Sequence, residues 1–344
     1  MRLVLLLLCP LLLLLSERVV AGTAQDFQNW VINFKAEALR QGVTPQVFDD
    51  AFRGVQPIPR VIELDRKQPE RTRMGFSKYL SNVKNQKRID NGRLGLSNNR
   101  QILAPISQHY GVPSEIIVAL WGIETSYGSN TGNYDLIAAL ATLAWEGRRA
   151  QFFKGELINA LLILQGNHIT RDKFKGSWAG AMGQNQFMPS SWHRFAVDFD
   201  GDGHKDIWTN RGDVFASAAN YLARNGWDRT QKWGYAVKLP VGVGQNKDKK
   251  TYLAWLQSGV RFDGTPPSIP SQTPLTLIIP DGGDGRAFLV TKNYDVIMSW
   301  NRSTYFALTV GLLSDAIALR QYSAANPAND NTSYQNSSVT TFNE

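Results

Sequence analysis

Apolar positions fall at helical spacing through most of this chain. Between 26 and 51, Phe27, Trp30, Val31, Phe34, Ala38 and Leu39 recur at three- or four-residue steps, and 45–52 continues as a shorter helix. The proline-bearing stretch 56–71 predicts extended chain lying over the surface. Helical pattern resumes over 69–87 and 98–110, after which Gly111-Val112-Pro113-Ser114-Glu115 stops one helix and caps the next. In that next helix Ile116, Ile117, Val118, Ala119, Leu120, Trp121 and Ile123 are apolar on every side, which places it inside the protein, and it ends at Glu124.

Further helices are predicted over 136–145, 150–164 and 213–225, and a last one over 303–320. Between 233 and 296 the pattern changes to short β-branched runs broken by proline and glycine, such as Thr276-Leu277-Ile278-Ile279 and Phe288-Leu289-Val290-Thr291. That stretch reads as a small β-rich insertion, and the following helix is expected to pack back on the main core. The end of the chain, 323–344, is rich in asparagine, serine and threonine, lacks apolar periodicity and is expected to be mobile. The fold class is therefore mainly α (α+β), organised as a leader 1–21, an N-terminal helical segment 22–95, a core 96–232, the insertion 233–296, a returning helix 297–322 and the tail.

The leader has the marks of a cleaved secretion signal. Arg2 supplies the positive start, Leu3 to Leu15 is apolar apart from Cys9 and Pro10, and Val19-Val20-Ala21 offers small residues before a cut near Gly22 or Gln25. The run is shorter than the ~20 residues of a spanning helix, and no later segment is apolar enough to span. Cys9 is the single cysteine and lacks the small-residue setting of a lipid-modified one, so the mature chain is expected to hold no thiol and no disulfide. The net charge of +8 suits a polyanionic partner. An exported chain rarely meets nucleic acid, whereas cell-wall polymer offers peptide carboxylates; a spread of solvated lysines and arginines without a partner gives the same count.

Glu124 follows directly on the apolar helix. A carboxylate there loses hydration, which raises its pKa toward the neutral acid that a proton donor needs. A buried glutamate bonded to neighbouring backbone would leave the same pattern. Further on, the segment from Ser177-Trp178-Ala179-Gly180 through Ala181-Met182-Gly183-Gln184-Asn185-Gln186 to Phe187-Met188-Pro189 combines small residues, amides and aromatics. Sugars stack on flat apolar faces and bond to amides, and a tight glycine-rich turn packed beneath a helix would have the same composition.

Asp198-Phe199-Asp200-Gly201-Asp202-Gly203-His204 reproduces the start of an EF-hand loop, with oxygen ligands at alternate positions, a glycine at the turn and the His204 carbonyl next. The closing position falls on Thr209, which cannot act as a bidentate carboxylate. A surface turn of aspartates and glycines without metal is the alternative. The four histidines lack zinc-site spacing, which argues against a catalytic zinc.

Trp121-Gly122-Ile123-Glu124-Thr125-Ser126-Tyr127-Gly128, followed by Gly180-Ala181-Met182-Gly183 and Gln186-Phe187-Met188-Pro189-Ser190-Ser191, resembles the membrane-bound lytic murein transglycosylase B family over about 27–320. Without a lipid-attachment cysteine the chain is similar to a soluble periplasmic member. The resemblance implies a lysozyme-like helical core and Glu124 as sole catalytic acid and base. It places Ser177 and Gln186 at the N-acetyl group and sugar at the cleavage point, Tyr221 near the acid, Arg148 and Arg149 in the binding groove, and Asn301 near the donor sugar. It also implies a structural Ca2+ held by Asp198, Asp200, Asp202 and His204 in a lengthened loop closed by Asp213, with no cofactor needed for the chemistry.

The implied substrate is the glycan strand of peptidoglycan. Ordinary glycosidases use two carboxylates; the family pattern supplies one. Glu124 would protonate the glycosidic oxygen between N-acetylmuramic acid and N-acetylglucosamine, then take the proton from the C6 hydroxyl of the same muramoyl sugar, leaving a 1,6-anhydro end. Two alternatives stand beside this: a lysozyme-type hydrolase using a second carboxylate such as Glu146 or Asp228, and a non-catalytic wall-binding scaffold.

Overall fold

In the computed structural model the described residues are 23–67, 74–146, 148–282 and 285–325. The leader expected over 1–21, and the tail from 326 onward, lie outside them. The chain opens with α1 (Ala24–Arg40), where Thr23 and Asp26 satisfy each other's backbone N–H in a capping box, and α2 (Pro45–Phe52), capped by Thr44. These are followed by α3 (Pro59–Arg66), which corrects the expectation of extended chain over 56–71. Pro59 stands in the first turn, where its missing N–H costs no bond, so this proline starts a helix instead of preventing one.

The helix expected over 69–87 is two elements, α4 (Phe76–Val83) and α5 (Gln86–Asn98), divided at Asn85, which caps α5. The pattern did not predict α5 beyond 87, because Gly92 and Gly95 stand where apolar side chains would have marked the buried face. A Cβ on Gly92 would lie 2.5 Å from Ile317, and one on Gly95 3.1 Å from the Trp121 ring. Glycine thus lets α5 sit close on its neighbours.

The core follows the sequence closely in α6 (Arg100–Tyr110), α7 (Ser114–Thr125), α8 (Leu136–Glu146), α9 (Ala150–Gln165) and α11 (Arg211–Arg224), with the short α10 (Pro189–Phe195) between the last two. Two short strands, β1 (Tyr134–Asp135) and β2 (Lys175–Gly176), pair antiparallel. The β-rich insertion is an antiparallel sheet in the order β4-β6-β7-β3-β5, formed by β3 (Gly234–Lys238), β4 (Lys249–Thr251), β5 (Arg261–Phe262), β6 (Pro274–Ile278) and β7 (Ala287–Val290). In register, Leu289 faces both Tyr235 and Leu277. The sheet closes over the wholly buried Trp255 of α12 (Tyr252–Gln257).

Helix returns with α13 (Lys292–Trp300), ahead of the expected boundary at 296, and α14 (Thr304–Ala325), which runs past the expected end at 322. Two helical cores result. One gathers Leu103, Ile117, Leu120, Phe215, Ile297 and Ile317; the other gathers Phe27, Phe34, Leu140, Phe153, Phe174 and Trp192. Each large aliphatic or aromatic group so buried contributes roughly 1.5–3 kcal/mol. Tyr221 and Trp300 pack against both cores, so the seam between them passes beside the end of α7.

Candidate active site at the end of the buried helix

α7 carries Glu124 to the seam. Ile116 through Trp121 are buried, while Glu124 is partly exposed at the last turn of the helix. The chain then reverses through three left-handed residues, Ser126 (φ 51°), Tyr127 (φ 64°) and Gly128 (φ 82°). Such a run is costly for side-chain-bearing residues and persists only where neighbours hold it. Here they do: the Thr125 hydroxyl donates to the Gln184 carbonyl (3.1 Å) and accepts the Gly128 N–H (3.1 Å), while the Tyr127 hydroxyl donates to the Arg88 carbonyl (2.5 Å). A Cβ on Gly128 would lie 2.4 Å from the Gln184 side chain, so that position admits only glycine.

Among the described residues the Glu124 carboxyl meets one hydrogen-bond donor. The Trp300 indole N–H, at the end of α13, lies 2.8 Å from its Oε1. Burial raises the Glu124 pKa from its ordinary value of 4.5 to about 7, and the Trp300 hydrogen bond works against that rise without cancelling it. Glu124 also lines a cavity of about 10 Å³ with Ile117, Trp121, Asn185, Phe215 and Trp300, and is the only carboxylate there among the described residues. Neither Glu146 nor Asp228 lines it. Glu146 is ion-paired with Arg66, and Asp228 accepts from Thr230 and Gln231, bonds that hold its pKa low.

Trp300 heads an aromatic group with Tyr221 (ring centroids 4.7 Å apart) and Phe187 (5.2 Å). Tyr221 therefore reaches Glu124 through Trp300 and not directly: its hydroxyl donates to the Ser299 carbonyl (2.6 Å), fixing the turn that aims the indole. Asn301, next in sequence, is exposed at the end of α13. Ser177 and Gln186 belong to one folded strip. The Ser177 Oγ accepts the Ala181 N–H (2.9 Å), and the Gln186 amide donates to the carbonyls of Thr131 (3.1 Å) and Gly183 (2.9 Å), tying the strip to the loop that follows Glu124.

Three residues near the acid escaped sequence reasoning. Trp300 was passed over for its neighbour Asn301. Gln184 is buried and accepts the Trp121 indole N–H (2.7 Å) while donating to the Trp208 carbonyl (2.7 Å). Tyr79 of α4 stands close enough to Glu124 for that charge to add to the main effect of burial in raising its pKa. The run of amides in the sequence was the one available signal, and Gln184 lies within it.

Arg148 and Arg149 lie together on Asp65 of α3, at 3.1 and 3.5 Å. Asp65 is buried and both arginines are exposed, so the pair is anchored from beneath with its cations in solvent. Arg149 also lies over the Phe153 ring at 4.8 Å.

The acidic loop sits between α10 and α11. Asp198, Asp200 and Asp202 bring carboxylate oxygens within 4.8 Å of one another. Burial disfavours the Asp198 charge, but the N–H groups of Gly203 and Gly201 prevail and hold its pKa below the usual value. Asp213 is buried and uses both oxygens on loop backbone, accepting the N–H of Phe199 (2.8 Å) and Asp206 (2.7 Å). Burial, with repulsion from Asp200 and Asp198, raises its pKa to about 6 against those two bonds. His204 is exposed and its backbone N–H donates to Asp202, while Thr209 donates to Asp206. Three converging carboxylates of one sign fit a hard divalent cation with oxygen preference.

Residues 26–315 match the family model described as a transglycosylase SLT domain. The chain is 36% identical over 240 residues to membrane-bound lytic murein transglycosylase B of Escherichia coli K12, a match covering 67% of this chain and 64% of that protein, or a little under two thirds of its length. Among solved structures it is similar to SltB3 of Pseudomonas aeruginosa in complex with NAG-anhNAM-pentapeptide, with TM-score 0.82, 44% identity, and 85% and 80% of the two chains covered. It is also similar to the Escherichia coli lytic transglycosylase Slt35 in complex with calcium, with TM-score 0.73, 30% identity, and 87% and 95% covered. With its lysozyme-like helical core, its β-rich insertion and a family match over most of its length, this chain belongs to the transglycosylase SLT domain family.

Proposed function

We propose that the protein is a lytic transglycosylase that cuts the β-1,4 bond between N-acetylmuramic acid and N-acetylglucosamine in peptidoglycan glycan strands without consuming water. The observation that carries this reading is a single carboxyl, Glu124, whose burial puts its pKa at about 7 and which, among the described residues, is the only carboxylate lining the small cavity at its side chain. The neutral acid donates its proton to the leaving oxygen. The resulting carboxylate is met by the Trp300 N–H and later takes the proton of the C6 hydroxyl as that oxygen closes the 1,6-anhydro ring. One group thus serves both steps, and protons balance over the cycle. A hydrolase of the usual kind would need a partner carboxylate, and Glu146 and Asp228 are engaged elsewhere.

Ser177, Gln186, Tyr221, Arg148, Arg149 and Asn301 are assigned to substrate binding. The folded strip supports the first two, stacking on Trp300 supports Tyr221, and exposure of their cations supports the arginines. Asp198, Asp200 and Asp202 would hold a structural Ca2+ with the His204 carbonyl, whereas Asp213, expected as the ligand that closes the loop, gives both oxygens to backbone N–H groups and would hold the loop in shape instead. When bound, the ion would offset two of the three negative charges of these crowded carboxylates. The apolar leader supports export to the periplasm, and no helix among the described residues is long and apolar enough to cross a membrane.

The test is product analysis of digested sacculi by mass spectrometry. The expected fragments end in 1,6-anhydromuramoyl groups, and Glu124→Gln binds glycan while losing at least about a thousandfold in turnover. Fragments heavier by one water would establish a hydrolase, and no fragments from the folded protein would establish a scaffold.

A further inference from the structure

A polar pocket that Glu124 does not line opens beside Trp121 and the turn that follows Glu124. Its volume is about 580 Å³. One wall is the exposed face of α5, where Lys87, Asn91, Leu94 and Asn98 follow one another at three- and four-residue spacing. The opposite wall is the left-handed turn that follows Glu124, with the hydroxyl-bearing Ser126 and Ser129. Trp121 and Tyr127 form its apolar base, and Gly95 lets α5 come close enough to the indole to close it.

The electrostatics are one-sided. Lys87, Arg88 and Arg211 all line the pocket, and no carboxylate does among the described residues. Arg88 donates to the Val83 carbonyl and the Ser126 hydroxyl, and Arg211 donates to Asn99 and lies over Trp121, so both are held in place by neutral groups. Asp90, on the adjacent face of α5, is turned away toward Gln86 and Arg93. Cations positioned by neutral groups keep their charge for a ligand. Asn91 and Asn98 add side-chain amides, each offering both a donor and an acceptor, which is what a peptide bond presents in return, while the Asn85 amide is taken up in capping α5.

We propose that this pocket binds a carboxylate-bearing peptide branch of the cell-wall polymer, and so couples recognition of the peptide to the cut at Glu124. This rests on the glycan-strand reading above and extends it to what the strand carries. Ser126 and Tyr127, which line the pocket, follow Glu124 by two and three residues, so the pocket adjoins the turn that leads away from the acid. The cations take the carboxylates, the asparagines take the peptide amides, and the ring edges of Trp121 and Tyr127 cover aliphatic side chains.

The test uses the full chain with Lys87→Glu and Asn91→Asp combined, both on the exposed face of α5 and in no structural bond. A labelled synthetic stem pentapeptide with free carboxylates is titrated by fluorescence anisotropy, beside the same peptide amidated at every carboxyl. The wild-type chain is expected to bind the free-carboxylate peptide, to lose it as salt rises, and to ignore the amidated one. The double variant should bind roughly tenfold more weakly, because its added charges repel the carboxylates. On peptide-bearing strands its KM should rise by a similar factor with kcat unchanged, and on peptide-stripped strands neither should change. Equal binding of the amidated peptide, or equal binding by the variant, overturns the proposal. Peptide binding by a chain that cuts no strand would retain the pocket and reject the reaction, so the two failures are distinguishable.

Discussion

The Trp300 indole N–H points at Glu124 Oε1 across 2.8 Å, joining the end of α13 to the end of α7 over 176 residues of sequence. Burial and this bond act in opposite directions on the same proton: burial favours the neutral acid, and the indole favours the carboxylate. The result near pH 7 suits a group that must both give and recover a proton.

Removing the indole donor should therefore have a signed effect. In Trp300→Phe the Glu124 pKa moves further up, and the alkaline limb of the pH–rate profile moves to higher pH. Turnover at the optimum falls about ten- to a hundredfold, the usual worth of a hydrogen bond to a charged group, since the carboxylate formed after proton donation has lost its partner. A limb that stays put, or moves down, would show that the indole does not act on this carboxyl.

A raised pKa has a cost in stability. The folded-state pKa of Glu124 is about 7, against an ordinary 4.5. The contribution is thus fully present below the unfolded value and is lost as pH rises through the folded one, by about 3 kcal/mol between pH 4 and pH 8. Glu124→Gln carries no such charge. Relative to wild type it should gain stability across that window, with the other raised carboxyls, Asp213 and Asp315 among them, cancelling from the comparison. Denaturant unfolding of both proteins at the two pH values measures this, and parallel pH curves would mean that the carboxyl is hydrated.

Much of this site was legible because its chemistry is continuous in sequence. The apolar run ending at Glu124 predicted a buried helix with a carboxyl at its end, and the small-residue and amide strip predicted where the loop beside it lies. What was hidden depends on contacts between distant segments. Trp300 looks like an ordinary aromatic until α13 sets it against Glu124, and Asp65 lay in a stretch expected to be extended, so its place beneath Arg148 and Arg149 could not be seen. α5 was missed for a related reason: its glycines mark close packing, which leaves no apolar periodicity. The roles given to Tyr221 and Asn301 rest on resemblance, since neither contacts the acid through a hydrogen bond here.

The acidic loop should respond to calcium and not to magnesium, which demands a tighter octahedral shell. A cation bound only by the folded chain stabilises it by about 2.7 kcal/mol at a hundredfold excess over Kd. Thermal unfolding with and without a chelator should show a Ca2+-dependent rise in Tm that Asp200→Asn with Asp202→Asn abolishes. Equal unfolding temperatures with and without Ca2+ would remove the ion from the account.

Asp65 and its two arginines carry an asymmetry that can be measured. The Asp65 side chain is 7% exposed, whereas the Arg148 and Arg149 side chains are 55% and 44% exposed. In Asp65→Asn the arginines keep their water, so stability should change by no more than about 1 kcal/mol, as for an exposed pair. In Arg148→Ala with Arg149→Ala the carboxylate is left buried without a partner, and the loss should reach about 3–5 kcal/mol. Both variants should raise KM on glycan strands, the first because the cations are no longer aimed and the second because they are gone, while kcat is retained in each. If the two variants lose equal stability, Asp65 is hydrated in solution and the arginines are surface charges without an anchor.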